Sequence, residues 1–460
     1  MHVEFLTGSS GSGKSKRLYD ILLDMSQENP DKKIFLVVPE QFTMQAQRNI
    51  VENSPGHGTF NIDIVSFNRL AYRIFEELGI ELPTAIDDTG KNLILRKIID
   101  ENKKDFKIIR AKDSQGFVSE IKSVISELLQ YSVTADMLKD ACGRLSTGGI
   151  NNNERLRRKL EDISLIYSAF KEYISDKYIT TEEVTAILCR YVDKSELLKN
   201  AVFAFDGFTG FTPVQYQLIE LLFDKADTMY FTLTLPQDGD RWLFDMSYDE
   251  LRRIGECADR HHVRVRRMNV GEAVPYRFKD SPQLAHLERN LYRDMAQYDG
   301  EADNITIYSA LGKKAEVSYV ASRIKSLVEN GLRYRQIGVI VSSMADYKEL
   351  LASIFEENKI PVFMDNKRSI LANPAVEYIR AALAIVEKDY SYESVFRLLK
   401  GYMCKNSGRF VDSVGSLDIF ENYVLALGIR GHKKYTEAFR RKYPSRRGMD
   451  LDVINDIRVK

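Results

Sequence analysis

Apolar residues along the chain follow two patterns that alternate in long blocks. In the first pattern they form short continuous runs, such as 33–38, 201–206 and 227–235, and amphipathic segments separate these runs. Continuous runs of this length are typical of strands buried on both faces of a parallel sheet, and alternating strands and helices build that sheet. The sequence therefore predicts an α/β fold with a parallel sheet.

In the second pattern apolar residues recur at helical spacing, for example Val118, Ile121, Ile125 and Leu128. This pattern holds from about residue 88 to residue 200 and predicts a helical insertion. Strand-length runs return at 305–309, 337–341 and 361–364. The predicted organisation is a first α/β domain (1–87 and 201–300), its helical insertion (88–200), part of a second α/β domain (301–372) and the start of a second helical insertion (373–460). No elements are predicted within 236–300.

The turn after the first predicted strand has the spacing of a phosphate-binding loop, G-x-x-x-x-G-K-[ST]. The loop consists of Gly8, Ser9, Ser10, Gly11, Ser12, Gly13, Lys14 and Ser15. Glycines let backbone N–H groups turn toward phosphate oxygens, and the following helix N-terminus adds partial positive charge. Lys14 is predicted to reach the β- and γ-phosphates of ATP, and the Ser15 hydroxyl to ligate Mg²⁺. The alternative is a flexible Gly/Ser turn before an ordinary helix.

A second acid is needed to hold the magnesium shell, and Asp206 supplies one at the end of an apolar run. The alternative role for Asp206 is a strand-end cap. Helicase-type motors commonly place a glutamate after this aspartate to polarise the attacking water, but here the next residue is Gly207. Loss of a positioned general base typically costs about 10²–10⁴-fold in rate. The sequence therefore predicts nucleotide binding without efficient hydrolysis.

Composition narrows the class of protein. Among 460 residues, Lys+Arg and Asp+Glu number 66 each, so any contact with nucleic acid must come from local patches. No apolar run approaches the roughly 18 residues of a membrane span, and no signal peptide is seen; we expect a cytoplasmic protein without a membrane partner. The four cysteines, Cys404 included, are far apart in sequence, and we interpret them as reduced thiols. His57, His262 and the other histidines lack the spacing of metal ligands, and we interpret them as structural or surface residues. The end of the chain carries no helix-stop signal, and we expect it to be cut inside a longer polypeptide.

Several strings of residues are similar to one known family. They are the phosphate-binding loop, Val-Pro-Glu-Gln-Phe-Thr at 38–43, Ser-Phe-Asn-Arg-Leu-Ala at 66–71, Asp-Gly-Phe-Thr-Gly-Phe-Thr-Pro at 206–213, Gly-Lys-Lys-Ala-Glu-Val at 312–317 and Glu-Asn-Tyr-Val-Leu-Ala-Leu-Gly-Ile-Arg-Gly at 421–431. The chain resembles AddB, the B subunit of the bacterial ATP-dependent helicase/deoxyribonuclease, over nearly its whole length. The string at 206–213 is the most specific part of this resemblance.

The resemblance implies a superfamily 1 helicase architecture, with two RecA-like parallel-sheet domains that each carry a helical insertion. It implies a heterodimer with an AddA-type motor and nuclease subunit that processes double-strand DNA ends for recombination. It also implies a degenerate helicase that binds single-stranded DNA and recognises the Chi sequence. An iron–sulfur cluster and a nuclease domain belong to the family's C-terminal part. No nuclease motif or cysteine cluster is present in this sequence, so neither is assigned to it.

Two further absences weaken a motor function. No glutamine-containing segment that would read adenine precedes Gly8, and Ser-Ser-Met at 342–344 follows the predicted strand without an arginine for the γ-phosphate. Loss of such an arginine typically costs about 10³–10⁵ in rate. Two alternatives stay open: an active ATPase that uses another base, such as Glu40, and a scaffold whose phosphate-binding loop is vestigial.

Aromatic residues beside basic ones can stack on bases while neutralising phosphates. Phe67 with Arg69, and Phe208 with Phe211, are the candidate DNA contacts, although aromatics at such spacing are more often core residues. Residues 430–447 are strongly basic and end in Arg446 and Arg447. This segment could follow a DNA backbone, or it could be a solvated face.

Overall fold

The computed structural model describes residues 1–54, 56, 58, 61–108, 115–147, 152–175, 177–237, 239–271, 274–293, 296–364, 370–401, 414–442 and 451–459. His57, Cys404, Arg446, Arg447 and residues 148–151 lie outside these ranges. The chain divides into two compact units, Met1–Ile307 and Tyr308–Lys460.

Six parallel strands form the main sheet of the first unit, in the spatial order β3-β2-β6-β7-β1-β8. The strands of the chain are β1 (His2–Gly8), β2 (Ile34–Val37), β3 (Ile62–Val65), β4 (Thr84–Ile86), β5 (Tyr178–Thr180), β6 (Val202–Phe205), β7 (Thr228–Thr234) and β8 (Arg264–Asn269). The first predicted strand and the strands predicted at 33–38, 201–206 and 227–235 are present as β1, β2, β6 and β7. The prediction of an α/β fold with a parallel sheet is confirmed.

The continuous apolar runs form strands because both faces of the sheet are covered. In β2, Phe35 and Val37 belong to one hydrophobic cluster, while Ile34 and Leu36 belong to the cluster on the opposite face. Successive side chains of a strand point to opposite faces, so a strand between two helical layers needs apolar residues at every position. The same alternation holds in β6.

The edge strand β8 was not predicted, because it lacks an apolar run. Its sequence is Arg-Val-Arg-Arg-Met-Asn, and most of its residues are exposed. Among the described residues it pairs, in parallel, with β1 alone. Charged residues are common on edge strands, where they discourage pairing with other chains.

The helices of the first unit are α1 (Lys14–Glu28), α2 (Thr43–Asn53), α3 (Phe67–Glu77), α4 (Asp88–Glu101), α5 (Gln115–Gln130), α6 (Ala135–Thr147), α7 (Asn152–Ile174), α8 (Val184–Cys189), α9 (Pro213–Leu222), α10 (Asp245–Arg260) and α11 (Pro282–Asn290). Helix α9 begins with Pro213 in its first turn, and Thr212 and Gln215 form a capping box there. Within the described residues, no helix of either unit has both the length and the apolar character needed to span a bilayer.

Helices α4 to α7 form the predicted helical stretch and have their own core, which includes Ile98, Ile125, Ile166 and Phe170. Two short strands that were not predicted, β4 and β5, pair in parallel at its base. Three residues per strand are too few to produce a periodic signal. The chain returns to the core of the main sheet from Ile179 onward, ahead of the residue 200 predicted from the pattern.

The second unit is helical in the part of the chain that the structure describes. Its helices are α12 (Lys313–Glu329), α13 (Met344–Glu357), α14 (Pro374–Glu387), α15 (Tyr392–Leu399), α16 (Val414–Leu427), α17 (His432–Thr436) and α18 (Leu451–Val459). One cluster, with Ile324 and Phe355, joins α12 to α13. A second cluster around Phe396, Tyr423 and Phe439 joins the later helices. Helices α14 to α18 lie within 373–460, where a helical pattern was predicted.

The predicted strands at 305–309, 337–341 and 361–364 are wrong for this structure, since none of these residues takes part in a β-ladder. A strand exists only through hydrogen bonds to a neighbouring strand, and an apolar run cannot show whether that neighbour is in place. Ile307, Ile340 and Phe363 are each at least 90% exposed. Contacts among the described residues therefore do not explain the apolar character of these three side chains.

Candidate nucleotide site

The loop between β1 and α1 requires glycine at three positions. Gly11 and Gly13 adopt φ angles of 77° and 98°, in the left-handed region that residues with a Cβ rarely occupy. A Cβ on Gly8 would lie 2.3 Å from the carbonyl oxygen of Val270 and 2.5 Å from Oγ of Ser12. The glycines therefore permit the sharp turn and close packing of a phosphate-binding loop.

The ammonium group of Lys14 lies against this loop and donates to the carbonyl oxygens of Gly8 (3.1 Å) and Ser9 (2.8 Å). Burial lowers the pKa of Lys14 to about 8; the charge of Asp206 opposes this shift, and the guanidinium of Arg277 adds to it. A phosphate group beside Lys14 would supply negative charge and restore its ordinary pKa. The loop thus holds a cation whose charged form would be stabilised by an anion.

Asp206, at the end of β6, is buried and accepts hydrogen bonds from three hydroxyl groups. Its Oδ1 accepts from Ser15 (2.9 Å) and Thr232 (2.6 Å), and its Oδ2 accepts from Tyr19 (2.9 Å). Burial, followed by the charge of Asp206, raises the pKa of Tyr19, so the phenol stays protonated and donates. The structure brings together Ser15 and Asp206, the two residues predicted to hold magnesium, and adds Thr232 and Tyr19, which were not predicted.

The side chains present fit a magnesium–triphosphate group. Oγ of Ser12 is buried without a hydrogen-bond partner among the described residues, which makes it available to a phosphate oxygen. Lys14 supplies positive charge at the same loop. The hydroxyl of Ser15 and the carboxylate of Asp206 are oxygen ligands, the kind that Mg²⁺ prefers.

A segment that follows β8 covers the loop. The N–H of Val270 donates to the carbonyl oxygen of Thr7 (2.7 Å), and the N–H of Arg277 donates to that of Gly11 (3.1 Å). A Cβ on Gly11 would lie 2.6 Å from Cβ of Arg277, so the arginine side chain lies directly on the loop. No element was predicted here, and Arg277 was missed because no local motif links it to a loop so distant in sequence.

A cavity of about 640 Å³ opens beside the loop. Its walls include Ser9, Gln237, His286, Arg289 and Arg293. Pockets that hold small ligands typically measure about 300–1,000 Å³ and combine apolar walls with a few polar groups. A space large enough for a nucleoside therefore adjoins the phosphate-binding loop.

The backbone conformation of the residue after Asp206 favours glycine. Gly207 adopts a φ of 78°, and its N–H donates to Oγ1 of Thr232 (3.4 Å). A Cβ at this position would meet Pro39 and Phe42 only at ordinary contact distances of 3.7 and 3.9 Å. Any side chain at 207, including the glutamate common in motors, would therefore fit in space but strain the backbone.

The predicted DNA contacts Phe67, Phe208 and Phe211 lie together near Asp206. The ring of Phe67 is 5.5 Å from that of Phe208 and 6.1 Å from that of Phe211, centroid to centroid. Phe67 is only 6% exposed and belongs to the core, as the alternative interpretation expected, whereas Phe208 and Phe211 are half-buried. Arg69 is exposed on α3. A DNA role for these residues stays a prediction.

Glu250 on α10 fixes the loop that contains these aromatic residues. Its Oε1 accepts from the N–H of Phe211 (2.9 Å) and from the hydroxyl of Tyr216 (2.7 Å). Burial raises the pKa of the Glu250 carboxyl, and these two hydrogen bonds counteract the shift. Glu250 was missed by sequence reasoning, because an acid on an amphipathic helix gives no sign of being buried.

The basic segment that begins at 430 lies in the second unit and is described as far as residue 442. Tyr435 and Phe439 are buried and anchor it to the helical core. The basic side chains Arg430, Lys433 and Lys434 are exposed. This arrangement fits a solvated face and leaves a DNA role as a prediction.

Comparison with known proteins gives the family. The family described as "ADDB, N-terminal" matches residues 5–288, which is more than half of the chain. The chain belongs to the ADDB family. A second family, "UvrD-like helicase C-terminal domain", matches residues 279–429. Together with the parallel sheet, these matches give this ADDB chain a helicase-like α/β architecture.

Curated relatives of this ADDB chain are named as the B subunit of an ATP-dependent helicase/deoxyribonuclease. The relative from Lachnoclostridium phytofermentans is 36% identical over 471 residues, which cover 100% of this chain and 40% of the relative. The relative from Clostridium kluyveri is 34% identical over 94% of this chain and 38% of its own length. That from Clostridium novyi is 34% identical over 100% of this chain and 40% of its own length. The chain thus spans about two-fifths of the relatives that it matches.

Proposed function

We propose that this chain is the helicase-like part of the B subunit of a helicase-nuclease and binds ATP with Mg²⁺ without hydrolysing it efficiently. The observation that carries the proposal is the contact between Ser15 and Asp206 beside Lys14. When bound, the magnesium–triphosphate would supply the charge that Lys14 and Arg277 neutralise. Asp206 already accepts from three hydroxyls, so it positions ligands and is poorly placed to accept a proton from water.

The chain's own residues would act in binding and in orientation. Ser15 would exchange its hydrogen bond with Asp206 for a place in the magnesium shell, while Tyr19 and Thr232 keep the carboxylate in position. Gly207 leaves the site without a general base at that position. The names of the relatives, which include ATP dependence, support nucleotide binding.

The test uses the 460-residue chain, a fluorescent ATP analogue and Mg²⁺. We expect saturable binding that Lys14→Ala removes and that Lys16→Ala keeps, because Lys16 lies on the exposed face of α1 in an ion pair with Asp20. We also expect negligible ATP turnover with or without DNA. No saturable binding at millimolar nucleotide would favour a scaffold, and brisk turnover that Lys14→Ala abolishes would show an active motor.

We also propose that the complete protein pairs with an AddA-type motor and nuclease subunit to process double-strand DNA ends for recombinational repair. Support comes from the relatives' names, which describe one subunit of a helicase and deoxyribonuclease. In this proposal single-stranded DNA contacts Arg69 and the half-buried rings of Phe208 and Phe211, and Chi recognition follows from the family resemblance alone.

DNA binding is tested with a fluorescent oligonucleotide and the chain variant Arg69→Ala. We expect binding to weaken about tenfold, since a phosphate contact by an arginine is typically worth about 1–3 kcal/mol. Arg48→Ala is the matched control, because Arg48 is exposed on α2 and pairs with Glu52. Equal affinities of the two variants would remove Arg69 from the DNA path.

A further inference from the structure

A cluster of metal-binding side chains lies at the carboxyl ends of α9 and α10, away from the nucleotide site. Glu220 is near the end of α9, and Cys257 and His261 are one helical turn apart at the end of α10. One carboxylate oxygen, the thiol sulfur and one imidazole nitrogen of these residues all lie within 4.8 Å of one another. Residues four apart share a helix face, so the two α10 side chains are directed to the same place.

The imidazole of His261 is already oriented as in metal sites. Its Nδ1 is 3.0 Å from a carboxylate oxygen of Asp224, while its Nε2 faces Glu220 at 3.9 Å. The ring also packs against Phe223, with centroids 5.5 Å apart. A carboxylate that accepts from one ring nitrogen fixes the tautomer and leaves the lone pair of the other nitrogen for a metal.

We propose that Glu220, Cys257 and His261 form a site for a zinc ion, with Asp224 as the residue that orients His261. Thiolate, imidazole and carboxylate are the three ligand types found in zinc sites, at bond lengths of about 2.0–2.3 Å. Tetrahedral ligands at such bond lengths stand roughly 3.3–3.8 Å apart, so small side-chain rotations suffice from the observed separations. On binding, the Cys257 thiol gives its proton to the solvent and becomes the sulfur ligand.

The surroundings of the cluster suit an ion held by three protein ligands. Cys257 is 7% exposed and packs with Ile254 and Ala258 in the core of the unit, which fixes the position of its sulfur. A cavity of about 350 Å³ is lined by Glu220, Cys257 and Arg260 among others, and offers space for a water as fourth ligand. This ligand set was not predicted from the sequence, because Glu220 comes from a different helix.

Arg260 would compete with the ion for the Glu220 carboxylate. Its guanidinium lies 2.7 Å from the Glu220 carboxylate, and the side chains are 58% and 41% exposed. An exposed ion pair of this kind contributes little to stability and can be given up when a divalent ion arrives. Removal of Arg260 should therefore strengthen metal binding.

The site would stabilise the helix pair α9 and α10, which supports the aromatic loop between β6 and α9. Helix α9 begins directly after that loop with the capping box of Thr212, and α10 holds the loop through Glu250. An ion that joins the opposite ends of the two helices would fix their spacing. The inference does not depend on nucleotide binding, and its test has no activity readout.

The experiment adds Co²⁺, as a spectroscopic substitute for Zn²⁺, to the metal-stripped 460-residue chain. We expect one equivalent to produce a sulfur-to-cobalt charge-transfer band and visible bands of tetrahedral intensity, and Zn²⁺ to displace both. Cys257→Ser should lose the charge-transfer band, while Cys189→Ser, at a half-buried thiol on α8, should keep it. A band of equal intensity in Cys257→Ser, or no band in the unsubstituted chain, would overturn the proposal.

Two further variants keep the test decisive if Cys257→Ser fails to fold. Arg260→Ala retains every ligand and should bind Zn²⁺ more tightly than the unsubstituted chain in a competition titration. Asp224→Asn should weaken Zn²⁺ binding about 10–100-fold, the usual effect of removing a residue that orients a ligand. Unchanged affinity in both variants would contradict the site, and circular dichroism would verify their fold.

Discussion

Lys14 is the residue whose charge state governs phosphate binding, and its lowered pKa gives a pH prediction. The free chain loses the Lys14 proton near pH 8, whereas a bound phosphate requires the ammonium form. Affinity for an ATP analogue should be constant below about pH 7 and fall about tenfold between pH 7 and pH 9. In Lys14→Arg the guanidinium stays charged, so titrations of this control should show no such fall. Equal slopes for the two proteins would contradict the prediction.

Gly207 should be needed for its backbone conformation and not for the space it leaves. At a φ of 78°, Gly207→Ala and Gly207→Glu should both destabilise the chain by about 1–2 kcal/mol, because the strain comes from the Cβ. Gly207→Asn should cost less, since asparagine tolerates this region. Urea unfolding midpoints measure the three effects. A neutral Gly207→Ala would show that the left-handed conformation is not required.

Arg277 should act on nucleotide affinity and on Lys14 together. Arg277→Ala removes a positive charge from the loop, so ATP-analogue binding should weaken about tenfold. The pH at which affinity begins to fall should also rise, since Arg277 contributes to the lowered pKa of Lys14. Arg252→Ala is a matched control, because Arg252 is exposed on α10 and paired with Asp249 and Glu256. A weaker affinity with an unchanged pH profile would place Arg277 away from Lys14.

The sequence predicts the residues of the site that belong to a local motif and misses those that do not. Ser15 was predicted from the loop spacing, and Asp206 from its position after an apolar run. Tyr19 lies one turn after Ser15 on α1 and was missed because the loop motif ends at Ser15. Thr232 and Arg277 reach the same site from elements whose neighbourhood only the folded sheet defines. No short-range pattern can mark such residues.

At the scale of elements, a strand could be predicted from the sequence when helices cover both of its faces. Central strands such as β6 were predicted because two helical layers demand apolar residues throughout. The edge strand β8 has one neighbour and an arginine-rich sequence, so it was missed. At 305–309, 337–341 and 361–364 the same apolar signal predicted strands that are not formed, because a strand needs a partner strand and an apolar run does not show whether one is present.

A buried ion pair joins helix α4 to the segment after β5, and it gives a prediction at the scale of elements. Lys91 on α4 is almost fully buried and donates to both oxygens of Glu182 (2.7 and 2.9 Å) and to Oγ of Ser126 (3.3 Å). Lys91→Met should destabilise the chain by about 3–5 kcal/mol, because it leaves Glu182 unpaired. The double variant Lys91→Met with Glu182→Gln should recover part of this loss in urea unfolding. Full additivity of the two substitutions would contradict the pairing.

At the scale of the whole molecule, each unit has its own hydrophobic clusters, so we expect two unfolding transitions in calorimetry. The nucleotide site lies entirely in Met1–Ile307. MgATP at about 100 times its dissociation constant should stabilise that unit by about 2.7 kcal/mol, which corresponds to roughly 5 °C in its midpoint. The transition of Tyr308–Lys460 should not move.

Lys91→Met identifies the transition of the first unit, because it should lower only that midpoint. In Lys14→Ala, MgATP should shift neither transition, and this separates specific binding from a general effect of salt. A shift of both transitions in the unsubstituted chain would mean that nucleotide binding stabilises both units, and a single transition would mean that the units unfold together. The two results distinguish a ligand that acts on one unit from a ligand that acts on the whole chain.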